Sequence, residues 1–366
     1  MLDWMSKYGV KCTMGWQLPG DWAWPGGAKR FKNGERWARC DIPMVDTFID
    51  RFVDHPAIAM IATCDEPSAL DYDYLGRLVR RVKERFPNQM PFFNLFPNYA
   101  LPDRDGAATS QLGTKDYERY VAEYVEKIPL DYISFDFYPW AWDVTFHQFY
   151  DNFRVVADAC AGSRRSLWCY LQCNQYNKKS KMRTYPPMTE ATLRYQADVA
   201  LAYGTECIIW ACWAKGWWDA NVVDTNGNLT VIYEPLKRIN RRLHAISPDY
   251  MRFRRVSTDL VGLEGELPSS SSAAFREVRA QDGAALAVGH FVPRAGNGDY
   301  AMFVAAIDDP NGTAPKSHVV TFKAPLKGVV LRAVDGDGAV QLSGKDDTWT
   351  FPLSSSKGAL ILAERR

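Results

Sequence analysis

Three acidic residues stand where chemistry could be done. Asp65 and Glu66 open the triplet Asp65-Glu66-Pro67, straight after the apolar run AIAMIATC (57–64). Asp136 interrupts a second apolar run, DYISFDFY (131–138). A carboxyl that keeps its proton near neutral pH can protonate a leaving oxygen. A second, ionised carboxylate can then act as nucleophile or activate water. Burial among aromatic side chains raises a glutamate's pKa by desolvation, and Glu66 fits that description. Asp65 is its rival, because neighbouring side chains at a strand end point in different directions. Each acid also has a plainer reading. Acids favour helix N-termini, so Asp65-Glu66-Pro67 can be a helix-start signal. Asp136, between Phe135 and Phe137, can be a buried acid paired to an arginine.

Amides and aromatics fall at equivalent places. Asn94 lies inside MPFFNLF (90–96), with Asn98 just after it. Tyr138 and Trp140 follow Asp136, Gln172 ends SLWCYLQC (166–173), and Trp210 and Trp213 end ECIIWACW (206–213). Trp16 closes VKCTMGW (10–16), and Trp22 and Trp24 come soon after. Aromatic faces suit stacking on sugar rings, and the amides of Asn94, Asn98 and Gln172 suit sugar hydroxyls. Packing is the competing role for every one of them. With two carboxyls and a sugar-binding surround, the chemistry would be glycosidic cleavage. The carboxyl separation would then be about 5–5.5 Å for retention or about 6.5–9.5 Å for inversion.

The elements that must hold these residues alternate from residue 1 to about 250. The six runs quoted above are short, apolar and followed by turn residues. Amphipathic helices separate them. Leu75, Leu78, Val79, Val82 and Phe86 recur at helical spacing, and Pro87 stops that helix. Tyr117, Tyr120, Val121, Tyr124, Val125 and Ile128 do the same, with Thr114 as the expected N-cap. Leu2 to Tyr8 reads as a further helix. Continuously apolar strands alternating with such helices predict a parallel sheet covered by helices. The predicted fold class is α/β, a TIM-type (β/α) barrel. Six strands are recognised of the eight that closure needs, so the first two are expected to be absent and the six to be the third through eighth. Beyond a Ser-rich stretch at 267–274, short alternating runs with Asn311-Gly312 and Asp335-Gly336 turn signals predict a small antiparallel β-sandwich. The expected domains are a catalytic barrel over 1–254 and a sandwich over 255–366.

Composition narrows the partners. Lys plus Arg number 44 and Asp plus Glu 43, a net charge of +1, which leaves no electrostatic footprint for nucleic acid or an anionic membrane. No run of about 18 apolar residues is present to span a bilayer. The opening MLDWMSKYGVKC has no apolar signal-peptide core. The eight cysteines sit largely within apolar runs and are expected to be buried free thiols. The spacing of Cys169 and Cys173 has no second pair or histidine cluster beside it, so no metal or organic cofactor is implied. Unpaired sheet edges would allow a homo-oligomer.

The stretch HPAIAMIATCDEPS (55–68) resembles the DEP-bearing segment of (β/α)-barrel glycoside hydrolases of the β-galactosidase and cellulase-like clan. FFNLFPNYA (92–100), LGTKDYERYVAEY (112–124), ISFDFYPW (133–140), LRYQADVALAYGTECIIWACW (193–213) and NGNLTVIYEPLKRINRRL (226–243) are similar to further segments, in order, across residues 1 to about 250. GHFVPRAGNGDYAMFVAAI (289–307) is similar to the all-β domain that often follows. The resemblance implies a carbohydrate substrate and an acid/base at Glu66, with Asp65 standing where the clan has Asn. It also implies that two βα units precede the first helix. The clan's nucleophile, a Glu ending the seventh strand, falls at or beside Gln172. An amide cannot serve as that nucleophile. Asp136, one strand earlier, is the replacement expected here as nucleophile or second carboxylate. The alternatives are an inverting mechanism, a sugar-binding barrel without catalysis, or a truncated and inactive hydrolase.

Overall fold

The computed structural model describes residues 1–14, 53–102, 110–141, 144–175, 188–214, 218, 220–263, 269–296 and 298–365. The chain divides into two compact units, Met1–Asp136 with Gly162–Ser166, and Phe137–Ala161 with Leu167–Arg366.

The first unit is built from parallel βα units. Helix α1 (Leu2–Lys7) leads into β1 (Cys12–Met14), which pairs in parallel with β2 (Ile58–Asp65), and β2 with β3 (Met90–Asn94). Leu95 then bridges in parallel to Phe135 of β4 (Tyr132–Asp136), its N–H reaching the Ser134 carbonyl at 2.8 Å. β3 is buried but for Met90, and β4 throughout, which is why both read as unbroken apolar runs.

Helices α2 (Tyr72–Arg85) and α3 (Tyr117–Lys127) cover this sheet, burying the predicted stripes. Their contact is aromatic. Tyr72 packs on Tyr120 and edge-on to Tyr124, which also meets Phe93 of β3 edge-on. Two tyrosine hydroxyls clamp the strands from these faces. Tyr124 donates to the Tyr132 carbonyl at 2.8 Å, and Tyr132 to the Pro91 carbonyl at 2.8 Å. Gly76 lets the helices meet, because a Cβ there would lie 2.5 Å from the Lys127 carbonyl oxygen. The α3 N-cap differs from expectation. Asp116, not Thr114, accepts the Arg119 N–H at 2.7 Å, because residues 111–116 form bends and the helix begins at Tyr117.

In the second unit, α4 (Phe146–Ser163) precedes β5 (Ser166–Gln172), and α5 (Glu190–Ala202) separates β5 from β6 (Thr205–Ala211). β5 and β6 are parallel, with Leu171 opposite Trp210 and Gln172 opposite Ala211. Phe137, Phe149, Phe153 and Tyr203 form one aromatic chain beneath them. All six strands anticipated from the apolar runs are present. Residues 15 and 16 of the first run lie outside the described residues.

After α6 (Tyr233–Tyr250) the chain becomes antiparallel. A six-stranded sheet contains β7 (Phe253–Val261), β9 (Leu286–Pro293), β10 (Tyr300–Ala306), β12 (Val329–Val334), β13 (Ala339–Val340) and β16 (Gly358–Arg365). A four-stranded sheet contains β8 (Arg276–Ala280), β11 (Ser317–Lys323), β14 (Ser343–Lys345) and β15 (Thr348–Ser354). Val288, Met302, Val304 and Ile361 of the first share one buried cluster with Val320, Phe322, Phe351 and Leu353 of the second. Alternation of apolar and polar residues along β11 and β15 puts the core on one face only.

The cysteine expectation needs one correction. All seven described cysteines are free, but only Cys160, Cys169 and Cys173 are buried. Cys12, Cys64, Cys207 and Cys212 are half-buried, and Cys207 lies among five consecutive residues of β6 that keep partial solvent contact. No helix among the described residues is long and apolar enough to cross a membrane.

Candidate active site

The ends of β2, β3 and β4 bring the acids of the first unit together. Asp65 lies opposite Asn94 in the parallel register. Asn94 donates from Nδ2 to Asp136 Oδ1 at 2.6 Å, and accepts from the Ser134 hydroxyl at Oδ1 at 2.9 Å. The two bonds agree on which way the amide points. Its oxygen faces a hydroxyl donor, so its nitrogen faces the carboxylate. Side chains two apart on a strand share a face, which puts Ser134 and Asp136 in one row. Asn94 and Asp136 are 5% and 6% exposed, so this is a nearly dry polar cluster.

Asp65 keeps some exposure, yet burial of its carboxyl pushes the pKa from the ordinary 3.8 up to about 7. A carboxyl with that value carries a proton for much of the neutral range. Glu66 follows with φ at 46°, a left-handed backbone that glutamate rarely adopts. Its N–H is held by the Asn94 carbonyl at 2.9 Å, so the strained residue is anchored to β3. Tyr120 braces the next residue. Its hydroxyl donates to the Pro67 carbonyl at 2.7 Å and accepts the Phe96 N–H at 3.3 Å. Burial raises the Tyr120 phenol well above its ordinary range, and the neighbouring Glu66 charge adds to the rise. Asn98 is half-buried just past β3.

The remaining expected site residues belong to the second unit. Gln172 is 1% exposed, and its amide is occupied on both sides. Oε1 accepts the Trp140 N–H at 3.1 Å, and Nε2 donates to the Asn174 carbonyl at 3.0 Å. Gln196 of α5 brackets its backbone, accepting the Gln172 N–H at 2.8 Å and donating to its carbonyl at 2.7 Å. Trp140 is buried, edge-on to Phe146 and Tyr195, with Nε1 donating to Asn311 Oδ1 at 2.8 Å. Tyr138 is half-buried and edge-on to Trp218. Trp210 is half-buried and donates to Asn240 Oδ1 at 2.8 Å. Trp213 is 45% exposed. Trp16, Trp22 and Trp24 lie outside the described residues.

Ser134, Tyr120 and Gln196 were not singled out from the sequence. Ser134 had a signal, a polar residue two before Asp136 in an otherwise apolar strand. Tyr120 read as one more position of an apolar helix stripe, and Gln196 as one polar residue in an apolar helix. Neither carries a local mark of its partner. Among the described residues, no group of three or more His, Cys, Asp or Glu is placed to hold a metal ion.

No protein-family model and no curated protein sequence matches the chain. Solved structures do. One described as a glycoside hydrolase has a TM-score of 0.56 at 12% identity, covering 100% of this chain and 75% of that one. A family 5 glycoside hydrolase from Bacteroides vulgatus has a TM-score of 0.55 at 9% identity, covering 100% of this chain and 72% of that one. An α-L-fucosidase isoenzyme from Paenibacillus thiaminolyticus has a TM-score of 0.53 at 8% identity, covering 89% of this chain and 80% of that one. The fold of the chain is thus similar to that of solved glycoside hydrolases.

Proposed function

We propose that the chain hydrolyses a glycosidic bond in an oligosaccharide or glycan, with Glu66 as general acid/base and Asp136 as nucleophile or water-activating base. The observation that carries this reading is the junction of β2, β3 and β4. There an amide donor held by Ser134 faces Asp136, while burial keeps a proton on Asp65 up to about pH 7. Acids whose environments pull their proton affinities apart can divide the donor and acceptor roles. An N–H donor suits an ionised carboxylate, the form needed for attack or for activating water. Asp65, at the same strand end, is assigned to the sugar-binding set. Asn94, Asn98, Tyr138, Trp140, Gln172, Trp210 and Trp213 complete the proposed sugar-binding set. The internally bonded Gln172 and Trp140 would act by shaping the surroundings. In this reading the six parallel strands are part of a barrel spanning 1–254, and 255–366 is a structural β-sandwich.

The test is a glycan-library hydrolysis screen followed by substitution. On a verified substrate, Glu66→Gln should lower turnover by about 10³-fold or more without changing the melting temperature. Near-normal turnover would sink the assignment. Loss in Asp65→Asn but not in Glu66→Gln would move the acid role one residue back.

One observation favours a sugar-binding protein without catalysis. The position where the resemblance places a nucleophile holds Gln172, whose amide oxygen and nitrogen each bond a main-chain group. That reading predicts glycan binding that survives Glu66→Gln and Asp136→Asn with no sugar released from any substrate.

A further inference from the structure

β6 (Thr205–Ala211) is the last strand of its sheet, paired with β5 on one side only. The Ala211 carbonyl accepts the Cys173 N–H at 2.7 Å, so Ala211 turns its main chain toward β5. Main-chain groups alternate in direction along a strand. Glu206, Ile208 and Trp210 therefore turn theirs to the open side, and no strand among the described residues pairs with them. Every residue from Glu206 to Trp210 is half-buried. A groove of about 450 Å³ lies between this strand and α6, walled by Leu201, Cys207, Ile208, Leu243, Tyr250 and Met251. It leaves room for the side chains that a further strand would bring.

The other free strand edges among the described residues are guarded. β8 carries Arg276, Glu277 and Arg279 in a strand of 5 residues, and β7 carries Arg254, Arg255 and Asp259. β14 is 3 residues long and ends in Lys345, β13 is 2 and β1 is 3. Charge and brevity protect an edge against pairing with another chain. β6 has little of either. It runs for 7 residues, and its one charged residue, Glu206, is taken by Arg294 Nη2 at 2.6 Å. Ile208, Ile209 and Trp210, types that favour strands, fill its centre and end.

We infer that β6 is a docking edge for β6 of a second copy of this chain, the two strands running antiparallel about a two-fold axis at Ile208. A second copy is the occupant that the charge pattern fits. With Ile208 opposite itself, Glu206 lies opposite Trp210, and the two glutamates stay at opposite ends of the pairing, each with its own arginine. The residues brought opposite one another are those whose main-chain groups face outward, so each pair exchanges N–H to carbonyl bonds. An isologous pairing of this kind occupies both edges and stops at a dimer.

The test is the mass of the full chain by analytical ultracentrifugation, across a roughly hundredfold range of micromolar concentrations. A monomer–dimer equilibrium is expected. Hydrogen exchange of the parent protein should slow at Glu206, Ile208 and Trp210 as the dimer forms, and not at Cys207 or Ile209, whose amides already face β5. Ile208→Lys and Ile208→Glu each set like charges opposite one another and should weaken association roughly tenfold or more. An equimolar mixture of the two should associate again, because lysine then meets glutamate. Circular dichroism melts identify a variant that fails to fold, and the exchange measurement on the parent stands without either. A monomer at every concentration, growth beyond a dimer, or a dimer whose outward β6 amides stay unprotected would overturn the proposal. So would folded variants that dimerise like the parent, or a mixture of folded variants that stays monomeric.

Discussion

The two units bury carboxylates in opposite ways. In the first, Asp136 faces an amide, and Asp65 is raised to about 7 by burial. In the second, carboxylates face cations. Asp198 bonds Arg242, Asp249 receives two bonds of 2.7 and 2.8 Å from Arg332, and Asp259 lies beside His290 and Ser270. Hydrogen bonds from Arg332 hold Asp249 below the usual carboxylate range, and those from His290 and then Ser270 do the same for Asp259. Asp249 and Asp259, bonded by Arg332 and by His290 and Ser270, are held as ions and serve architecture, whereas burial pushes the Asp198 carboxyl up even with Arg242 and Arg194 beside it. Asp65, raised by burial, can exchange a proton near neutral pH. Burial raises a carboxyl and donor bonds lower it, and the balance of the two separates the uses.

The contrast can be broken most forcefully at Arg242. Replacing it with Met leaves the Asp198 carboxylate, in a site that is 1% exposed, with Arg194 at 3.7 Å and no hydrogen-bonded guanidinium. Removing one member of a buried pair costs about 3–5 kcal/mol. Urea unfolding of Arg242→Met at neutral pH should show a loss of that order. A near-neutral result would mean that Asp198 accepts a proton as readily as Asp65, and the distinction between the units would fail.

Asp65→Asn should have the opposite sign. With a folded pKa of about 7 against an ordinary 3.8, the native protein holds a proton that the unfolded chain has released between those values. Stability therefore falls as pH rises through that window. At 1.36 kcal/mol per unit the full shift is about 4 kcal/mol, and partial exposure of the residue brings a realistic figure to roughly 2–3 kcal/mol. Asparagine cannot ionise. The variant should match the parent near pH 4 and exceed it by that margin at pH 8 in urea titrations. Equal stability at both pH values would show that Asp65 titrates as an ordinary surface acid.

The same contrast explains what the sequence disclosed. The strands were legible because burial on both faces leaves an unbroken apolar run, and because alternation marks the half-buried strands that follow. Asp65, Glu66, Asn94 and Asp136 were legible for the same reason, as polar residues breaking or ending such runs. Their partners were not. Ser134 fixes the Asn94 amide across 40 positions of sequence, and Tyr120 reaches Pro67 across 53. Local pattern carries no information about which distant side chain supplies a bond. Gln172 shows the converse. A strand-end amide reads as a ligand to hydroxyls, but its partners, Trp140 N–H and Asn174 carbonyl, are main-chain groups. Main-chain groups are present at every position and leave no trace in residue type.

The smallest effect concerns backbone strain. Asp346 and Asp347 have φ values of 50° and 64° in the two-residue turn between β14 and β15. That hairpin geometry requires positive φ at both central positions, and aspartate tolerates it. Glu66, at 46°, lies at a parallel strand end where no hairpin imposes such a conformation, and its side chain is of a type that resists it. The left-handed region costs roughly 1–2 kcal/mol for a residue with a Cβ, and glycine returns about half of that through its larger unfolded-state entropy. Glu66→Gly should therefore stabilise the fold by about 0.5–1 kcal/mol in urea unfolding while removing glycan hydrolysis. A stabilised but inactive variant would mark the strain as serving the position of the carboxyl. A destabilised one would mean that the Glu66 side chain holds the β2 end together, and that its place beside Asp65 is architectural like the carboxylates of the second unit.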